Sequence, residues 1–348
     1  MPGKGEQQEK RVTIDQVAAQ AGVSKTTVSR YLNQRYDALS EDTRQRIHQV
    51  IEELNYRPNR IAQSLKARNS RMLGCLVSDI SSPFSSIIVK GINSVCTQAG
   101  YQLLLVDSED DPERERTGIQ DLLENQVDGL IVNTTGQNDE YLLSLYQKGI
   151  PLVLADRCLS AAGMIDTVAT ENYHVTYQCI TYLRGLGYEQ VAFFTQGNRN
   201  VAPRILRFQA YCDAMRENFH LAGEERLYQF QLDSTADCVE KLRAYQARYP
   251  GQRLAVFAVN GVAMLHMLQG IQQAGICIGK DFGVCGFDDW GWADLIPPGI
   301  TTITQDSWEV GRRSAELLLK RIQGTGPVGP VYEELPNRLI IRGSTVSG

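Results

Sequence analysis

Several polar side chains follow directly after apolar runs in the larger, C-terminal part of the sequence, and their chemistry suits a hydroxyl-rich ligand. Carboxylates and amides form paired hydrogen bonds to adjacent hydroxyls, guanidinium groups bind anionic oxygens, and aromatic rings stack on a sugar ring or chain. A single aspartate at a strand end could equally be a helix cap or a turn former. The residues that we predict to bind a small ligand are Ser82, Phe84, Asp156, Arg157, Arg204, Arg207, Asn260, Asp288 and Trp290.

Three of these residues are arginines, at positions 157, 204 and 207. Guanidinium groups pair with carboxylate or phosphate through two parallel hydrogen bonds, so the set favours an acidic ligand. Asp156 and Asp288 could be assigned as the general acid and base of an enzyme. Such a pair binds hydroxyls equally well, however, and the sequence holds no nucleophile elbow or phosphate loop. We therefore predict binding without catalysis.

The stretch GVSKTTVSR, at 22–30, is polar although apolar residues flank it on both sides. Apolar residues recur at helical spacing before and after Gly22, which predicts two short helices joined by a tight turn, with Ser24 as the N-cap of the second. The side chains that point outward from this second helix are Lys25, Thr26, Ser29 and Arg30. Short donors and acceptors flanked by cations are typical of a helix that reads the DNA major groove.

A third helix is predicted over 40–56, and a short basic segment follows at 57–71. This segment is too short to be stable as an isolated helix, but Asn59 could cap it. It could fold when two copies meet on DNA and insert an apolar side chain into the minor groove. A charged linker is the alternative.

The charge is distributed unevenly along the chain. Residues 1–71 hold 13 Lys and Arg against 8 Asp and Glu, a net charge of +5, whereas the remainder holds 22 against 32, a net charge of −10. A basic N-terminal head joined to an acidic body favours a polyanionic partner for the head, although a solvated basic surface would have the same composition.

In the body, two series of four apolar runs alternate with helical stretches, which predicts two α/β lobes with parallel sheets and a ligand cleft at the carboxyl ends of the strands. The fold class is thus a small all-α helix-turn-helix head plus a two-lobed α/β core. The predicted domains are a head at 11–57, a hinge helix or linker at 58–71, and a core at 72–348, with lobe 1 at about 72–160 and 292–325 and lobe 2 at about 161–291 and 326–348.

The stretch TIDQVAAQAGVSKTTVSRYLN, followed by LNYRPNRIAQSLKARNSRMLGCLVSDISSPF, resembles the LacI/GalR family of bacterial transcription regulators. The resemblance implies that Lys25 and Thr26 choose the operator sequence. It also implies that Leu65 of the hinge helix inserts into the minor groove. Asn59, at the start of the same helix, is a further predicted DNA-binding residue. The residues that would hold phosphates or the docking geometry are Thr13, Ser24, Thr27, Ser29, Arg30 and Asn33.

The resemblance extends over a periplasmic-binding-protein-like core. It implies that Asp156, Arg207, Asn260 and Asp288 contact an effector sugar. The family often has aspartate after the matching asparagine, whereas this chain has Gly261, so Asn260 is a weaker marker of neutral hexose binding. The segment GFDDWGWADLIPPGITTITQ is similar to regulators of sugar-acid catabolism, of the ketogluconate and ketodeoxygluconate kind.

These observations together predict a cytoplasmic regulator, a repressor in preference to an activator, that binds a near-palindromic operator as a homodimer and responds to a sugar or sugar acid. Induction and corepression use the same cleft and hinge, so both remain open. A stand-alone sugar-binding protein is the alternative from another class.

Other chemistry is weakly represented in the sequence. The eight cysteines include no C-x-x-C pair and are interpreted as small buried hydrophobic residues, and the four histidines lie far apart, so neither a metal site nor a cofactor is expected. GTGPVG, at 324–329, follows a helix and contains a proline, which indicates a loop. The polar N-terminus and the lack of a long apolar run predict neither a signal peptide nor a membrane span.

Overall fold

The computed structural model describes residues 12–32, 35–56, 69–160, 163–197 and 201–346. The chain forms two compact units, residues 1–70 and 71–348. The predicted boundary of the core at 72 lies one residue beyond this division.

In the first unit, helices pack around one small apolar cluster. The helices are α1 (Ile14–Gln20), α2 (Lys25–Leu32) and α3 (Glu41–Glu53), with a 3₁₀ turn at Tyr36–Ala38. Residues of all three helices are buried in the cluster, with Val17, Val28 and Ile47 fully buried. The predicted helices are thus present in the described part of this unit.

Polar side chains begin each of these helices by accepting free backbone N–H groups of the first turn. Thr13 caps α1 in a reciprocal arrangement with Gln16, which bonds back to the Thr13 backbone at 2.8 Å. Ser24 Oγ accepts the backbone N–H of Thr27 at 3.1 Å, as predicted for the N-cap of α2. Ser40 begins α3 in the same way.

The second unit contains two six-stranded sheets, each with helices packed beside it. The strands are β1 (Met72–Val77), β2 (Gln102–Asp107), β3 (Gly129–Val132), β4 (Leu152–Ala155), β5 (Asp166–Thr170), β6 (Gln190–Gln196), β7 (Leu227–Phe230), β8 (Leu254–Ala258), β9 (Phe282–Phe287), β10 (Thr301–Thr304), β11 (Tyr332–Leu335) and β12 (Arg338–Ile340). The sheet of lobe 1 has the order β11-β5-β4-β3-β1-β2, and the sheet of lobe 2 has the order β12-β10-β9-β8-β6-β7.

All strand pairs are parallel except β10 with β12. Central strands such as β3, β4, β6 and β8 are buried along their whole length, because helices cover both faces of a parallel sheet. The helices of this unit are α4 (Pro83–Ala99), α5 (Pro112–Glu124), α6 (Asp139–Gln147), α7 (Tyr173–Gly185), α8 (Ala202–Ala214), α9 (Thr235–Arg248), α10 (Gly261–Ala274) and α11 (Ser307–Ile322).

The chain crosses between the lobes three times, after β5, after β10 and after β11. Helix α11 packs against α4 and against strands β3, β4 and β5, so it returns to lobe 1 as predicted. Strand β12 ends the chain's path in lobe 2, also as predicted.

The predicted lobe boundaries are wrong in three places. Strand β5 belongs to lobe 1, although 161 was predicted to begin lobe 2; β10 belongs to lobe 2; and β11 returns to lobe 1. These three strands are four or five residues long and rich in Thr or Glu. Their sequences lack the long apolar runs that marked the other strands, and only pairing with a neighbouring strand shows which sheet they join.

The cysteines are all free thiols, and six of the eight are buried. Cys158 is half-buried and Cys277 is exposed, so the interpretation of all cysteines as buried residues is wrong for these two. The GTGPVG segment lies beyond the end of α11 and contains no helix, as predicted.

Candidate effector site and nucleic-acid interface

Helix α2 carries the predicted recognition side chains. Lys25, Thr26 and Arg30 are exposed, and Lys25 Nζ contacts Asp15 Oδ2 at 2.9 Å. More than half of each of these two side chains is exposed, so the ion pair is weak and does not prevent Lys25 from contacting DNA. Thr27 and Ser29 are half-buried.

Two of the predicted DNA-binding residues also stabilise the helices themselves, since Thr13 and Ser24 are caps. Their hydroxyls therefore fix where α1 and α2 begin, and they are also exposed to solvent. The predictions for Asn33, Asn59 and Leu65 lie outside the described residues.

A cavity of about 180 Å³ lies between the two lobes at the carboxyl ends of their strands. This volume is below the range of roughly 300–1,000 Å³ typical of drug-sized ligands, so the cavity suits a small molecule. All nine of the predicted ligand-binding residues line it. The other lining residues are Ser78, Asp79, Ser85, Asp110, Asn133, Gln196, Val201, Pro203, Leu232, Val262 and Gln305.

In lobe 1, Asp156 follows β4 in a left-handed conformation with φ of 68°. Its side chain is buried, and its Oδ1 has no hydrogen-bond partner among the described residues. Burial without full compensation disfavours the charged carboxylate and raises the pKa of Asp156 to about 6, against the opposing charges of Arg207 and Arg157. Asp156 can therefore accept or donate a further hydrogen bond from the cavity wall.

Arg157 points into the same cavity and is held by two oxygens. Its Nη1 donates to Asp110 Oδ1 and to the Thr134 carbonyl, both at 2.9 Å. The loop that carries Thr134 is in turn bonded to Glu115, a fully buried residue of α5. The Glu115 carboxylate accepts the Thr134 hydroxyl at 3.0 Å and the backbone N–H of Thr135. Glu115 thus fixes the loop that positions Arg157.

In lobe 2, Arg207 donates hydrogen bonds from all three of its guanidinium nitrogens. Its Nε donates to Asn172 Oδ1 at 2.7 Å, its Nη1 to the Val259 carbonyl at 2.9 Å and its Nη2 to Gln305 Oε1 at 3.0 Å. The guanidinium lies 3.5 Å from the centre of the Phe287 ring. Asn172 and Gln305 lie in two of the three segments that connect the lobes. Arg207 therefore links the cavity to both of these connecting segments.

Asp288 follows β9 and uses both carboxylate oxygens. Oδ2 accepts the backbone N–H of Gly261 at 2.8 Å, and Oδ1 accepts Gln305 Nε2 at 2.6 Å. Burial raises the pKa of Asp288, while the charge of Arg207 and these hydrogen bonds lower it. The protein therefore orients this carboxylate before any ligand arrives.

Three arginines line the cavity beside four aspartates, Asp79, Asp110, Asp156 and Asp288. Burial lowers the pKa of both Arg204 and Arg207 to about 10, and the charge of Arg157 adds to this shift in each case. Three helices also begin at cavity-lining residues, namely α4 after Ser82, α8 after Val201 and α10 after Asn260. Helix N-termini favour negative charge, so these features together suit an anionic group.

Several lining residues were not among the sequence predictions. Gln305 and Asn133 could have been suspected, because each directly follows a strand. Asp110 carries no such signal, and neither do Glu115 and Asn172, which lie outside the lining but hold it through partners far away in the sequence. Among the described residues, no group of three or more metal-ligating side chains is close enough to hold an ion.

A small helical unit joined to a two-lobed α/β core is the arrangement of a DNA-binding regulator that responds to a small ligand. Comparisons with known proteins identify the family. A model of periplasmic binding protein-like domains matches residues 180–345, and a model of bacterial regulatory proteins of the lacI family matches residues 13–59. The HTH-type transcriptional regulator KdgR of Bacillus subtilis is 38% identical over 332 residues, which cover 95% of this chain and 97% of that protein.

Two further comparisons span the same length. The HTH-type transcriptional regulator PtxS of Pseudomonas putida is 35% identical over 335 residues, covering 96% of each chain. The structure of the lac repressor dimer bound to operator and the anti-inducer ONPF matches with a TM-score of 0.84 and 27% identity, covering 97% of this chain and 100% of that one. This chain belongs to the LacI family of bacterial regulatory proteins.

The family, the fold class and the function of a DNA-binding transcriptional regulator predicted from the sequence are thereby confirmed. The relatives named above are regulators of transcription. Among the described residues, no helix is long and apolar enough to span a membrane.

Proposed function

We propose that this chain binds operator DNA as a homodimer and that a small hydroxylated acid in the interlobe cavity changes its affinity for DNA. The observation that carries the proposal is the gathering of three buried or nearly buried arginines, at positions 157, 204 and 207, around one small cavity. Asp110 already pairs with Arg157 at 2.9 Å, so the arginines are partly compensated within the protein. Their planar N–H donors, together with the three helix N-termini, suit the carboxylate of a hydroxylated acid, whose hydroxyls can donate to the neighbouring aspartates. The site binds its ligand without catalysis, and the protein acts in the cytoplasm, where its DNA target is.

The hydroxyl groups of this ligand have partners in both lobes. Asp156 and Asp288 lie on opposite walls of the cavity, and Asn133 and Gln196 add amide groups. Gln196 Oε1 is buried and has no hydrogen-bond partner among the described residues, so it is available to accept a ligand hydroxyl. Polar atoms on both walls allow one ligand to hold the lobes together.

Arg207 offers a route from ligand to lobe movement. It contacts Asn172 and Gln305, which lie in two crossovers between the lobes. A ligand that draws the guanidinium toward its carboxylate would shift both crossovers, and the relative position of the lobes would change. In a dimer whose heads must match the spacing of two operator half-sites, such a shift alters DNA affinity, and the coupling is reciprocal.

On the DNA side, we assign base recognition to Lys25 and Thr26 and backbone contacts to Ser29, Arg30 and the neighbouring hydroxyl residues. This assignment is supported by the exposure of Lys25, Thr26 and Arg30 on α2 and by the lac repressor dimer bound to operator, which the chain matches over nearly its whole length. Operator binding without ligand, that is repression relieved by an inducer, is the proposed sign.

The test is the affinity of the purified protein for DNA from upstream of its own gene, at about 0.15 M salt. It is measured with and without 2-ketogluconate, 2-keto-3-deoxygluconate, gluconate and the neutral sugars glucose and galactose. We expect an acid alone to weaken operator binding. A response to a neutral sugar only would overturn the acid assignment, and tighter binding would reverse the sign to corepression.

The Arg30→Ala variant separates the two functions. It should weaken operator binding by about tenfold or more, because a phosphate contact is lost, and leave the affinity for the acid unchanged. Arg248→Ala, an exposed arginine of α9 with half of its side chain accessible, is the control and should change neither affinity. Equal operator affinity in wild type and Arg30→Ala would contradict the assignment.

A further inference from the structure

Trp290 forms an aromatic part of the cavity wall. It lies in the loop after β9, two residues beyond Asp288, and its side chain is half-buried and faces the cavity. An indole at the edge of a small polar cavity supplies an apolar face against which the C–H face of a hydroxylated ligand can lie. The position of this ring therefore helps to decide which ligand shapes fit.

Gly261 decides where that ring can be. It is the first residue of α10, is buried, and contacts Trp290 and Asp288. A Cβ atom at this position would lie 2.5 Å from Trp290 Cη2, 2.8 Å from Trp290 Cζ2 and 2.8 Å from Asp288 Cβ. Distances this short exclude any side chain at 261 unless the indole or the aspartate moves.

The glycine is not needed for the backbone conformation. Gly261 has no positive φ, and alanine is a better helix former than glycine at an ordinary helical position. Glycine is also not there for close packing of two helices. The glycines that serve this purpose, Gly91 in α4 and Gly311 in α11, would place a Cβ against backbone carbonyls of the partner helix, at 2.1 Å. Gly261 differs because its neighbours are side-chain atoms of two cavity-lining residues.

We infer that Gly261 is a specificity-determining residue: its missing side chain lets the Trp290 indole lie against the start of α10, where it forms the wall for the C–H face of the acid effector. The same missing side chain keeps Asp288 close enough to accept the Gly261 N–H at 2.8 Å. One residue thereby positions both an aromatic wall and a carboxylate. This inference rests on the proposed function, because it takes the cavity to be the effector site.

The test is a double-mutant cycle with Gly261→Ala, Trp290→Ala and the double variant, in the full-length protein. The affinities for 2-ketogluconate, 2-keto-3-deoxygluconate and gluconate are measured by calorimetry. In the wild-type background, Gly261→Ala should lower the affinity of the binding acid by about tenfold or more, because the displaced indole intrudes on the cavity. In the Trp290→Ala background the same change should have a smaller effect, because the clash with the indole is gone and only the one with Asp288 Cβ remains.

Gly185→Ala is the matched control. Gly185 is the exposed last residue of α7, and a Cβ there meets nothing within 4 Å, so this variant should bind the acid like the wild type. Thermal melts check that all variants are folded. If Gly261→Ala does not fold, the more conservative Trp290→Phe variant should still change the ratio of affinities among the three acids.

Tryptophan emission gives a second readout without ligand. The chain has three tryptophans, and the contribution of Trp290 is the difference between each background and its Trp290→Phe variant. Gly261→Ala should increase quenching of this contribution by acrylamide, since the displaced ring becomes more accessible.

The outcomes separate the two ideas. If the wild type binds none of the acids, the proposed effector class is wrong and the inference falls with it. If the wild type binds an acid but Gly261→Ala binds it equally well, or loses the same factor with and without Trp290, only the inference is overturned. Unchanged ratios among the acids in Trp290→Phe would also overturn it.

Discussion

Asp156 and Asp288 occupy equivalent places in the two lobes. Each follows the fourth strand of its lobe, has a left-handed backbone with φ of 68° or 74°, and donates its N–H to the next strand, to Val168 at 2.8 Å or to Ile303 at 2.9 Å. The two side chains differ: Asp288 uses both oxygens within the protein, whereas Asp156 leaves Oδ1 without a partner among the described residues.

This difference shows how one fold, used twice, can divide the work of ligand binding. The lobe 2 wall is oriented in advance by Gly261, Gln305 and Arg207. The lobe 1 wall keeps an unsatisfied carboxylate oxygen, which is costly unless a ligand completes its hydrogen bonds. A ligand therefore contributes more hydrogen bonding to Asp156 than to Asp288, and the variants below test that asymmetry.

The largest effect is expected from Arg207→Ala. The variant lacks the guanidinium that would pair with the acid's carboxylate and leaves Asn172 Oδ1 without its donor, so affinity for the acid effector should fall by at least about a hundredfold in calorimetry. Arg216→Ala, whose side chain is 68% exposed, is the control and should bind normally. A loss below tenfold for Arg207→Ala would mean that lobe 2 is not the oriented wall.

The two aspartates should separate in stability. In Asp288→Asn an amide NH₂ replaces one accepting oxygen and faces a donor, so the free energy of unfolding should fall by about 2 kcal/mol in urea titrations. Asp156→Asn should leave that free energy unchanged or raise it, since it removes a buried charge, while lowering acid affinity by about tenfold. Equal destabilisation by both variants would remove the proposed contrast.

Glu115→Gln tests the support of the lobe 1 wall. The buried carboxylate accepts from Thr134, Thr135 and Asn138, and an amide NH₂ would face one of these donors, at a cost of about 1–2 kcal/mol in unfolding free energy. Because the Thr134 carbonyl holds Arg157, acid affinity should fall about fivefold as well. Glu113→Gln, exposed on the same helix, should change neither quantity; normal acid affinity in Glu115→Gln would exclude its role in positioning Arg157.

The smallest effect is a pH dependence from Asp156. Folding raises its pKa to about 6, so the folded state binds this proton more tightly than the unfolded chain, and stability from this group rises as pH falls through 6. When the pH falls from 7.5 to 5.5, this group should add about 1 kcal/mol to the free energy of unfolding of the ligand-free wild type. The Asp156→Asn variant should lack this contribution, because asparagine does not titrate. Parallel stability curves for the two proteins would show that Asp156 does not titrate in this range.

Local chemistry made much of the molecule predictable. The caps Ser24 and Ser40, the helical periodicity of the head and the long apolar strands are each written within a dozen residues of sequence. The predicted cavity residues also follow from a local pattern, because the carboxyl ends of parallel strands, and the helix starts that follow them, meet at one edge of a sheet. Strands such as β5 and β11 escaped prediction because their short polar sequences form strands only beside a partner.

The sequence by itself determined the helix-turn-helix head, two α/β lobes and the family, since periodicity, capping and a contiguous motif are properties of neighbouring residues. Only the tertiary structure decided which polar atoms are satisfied. Gln305 bonds Thr170 across 135 positions and Arg207 across 98, and Glu115 reaches the loop that holds Arg157. The difference between Asp156 and Asp288 depends on such distant partners, because a carboxylate's chemistry is set by the atoms around it in space.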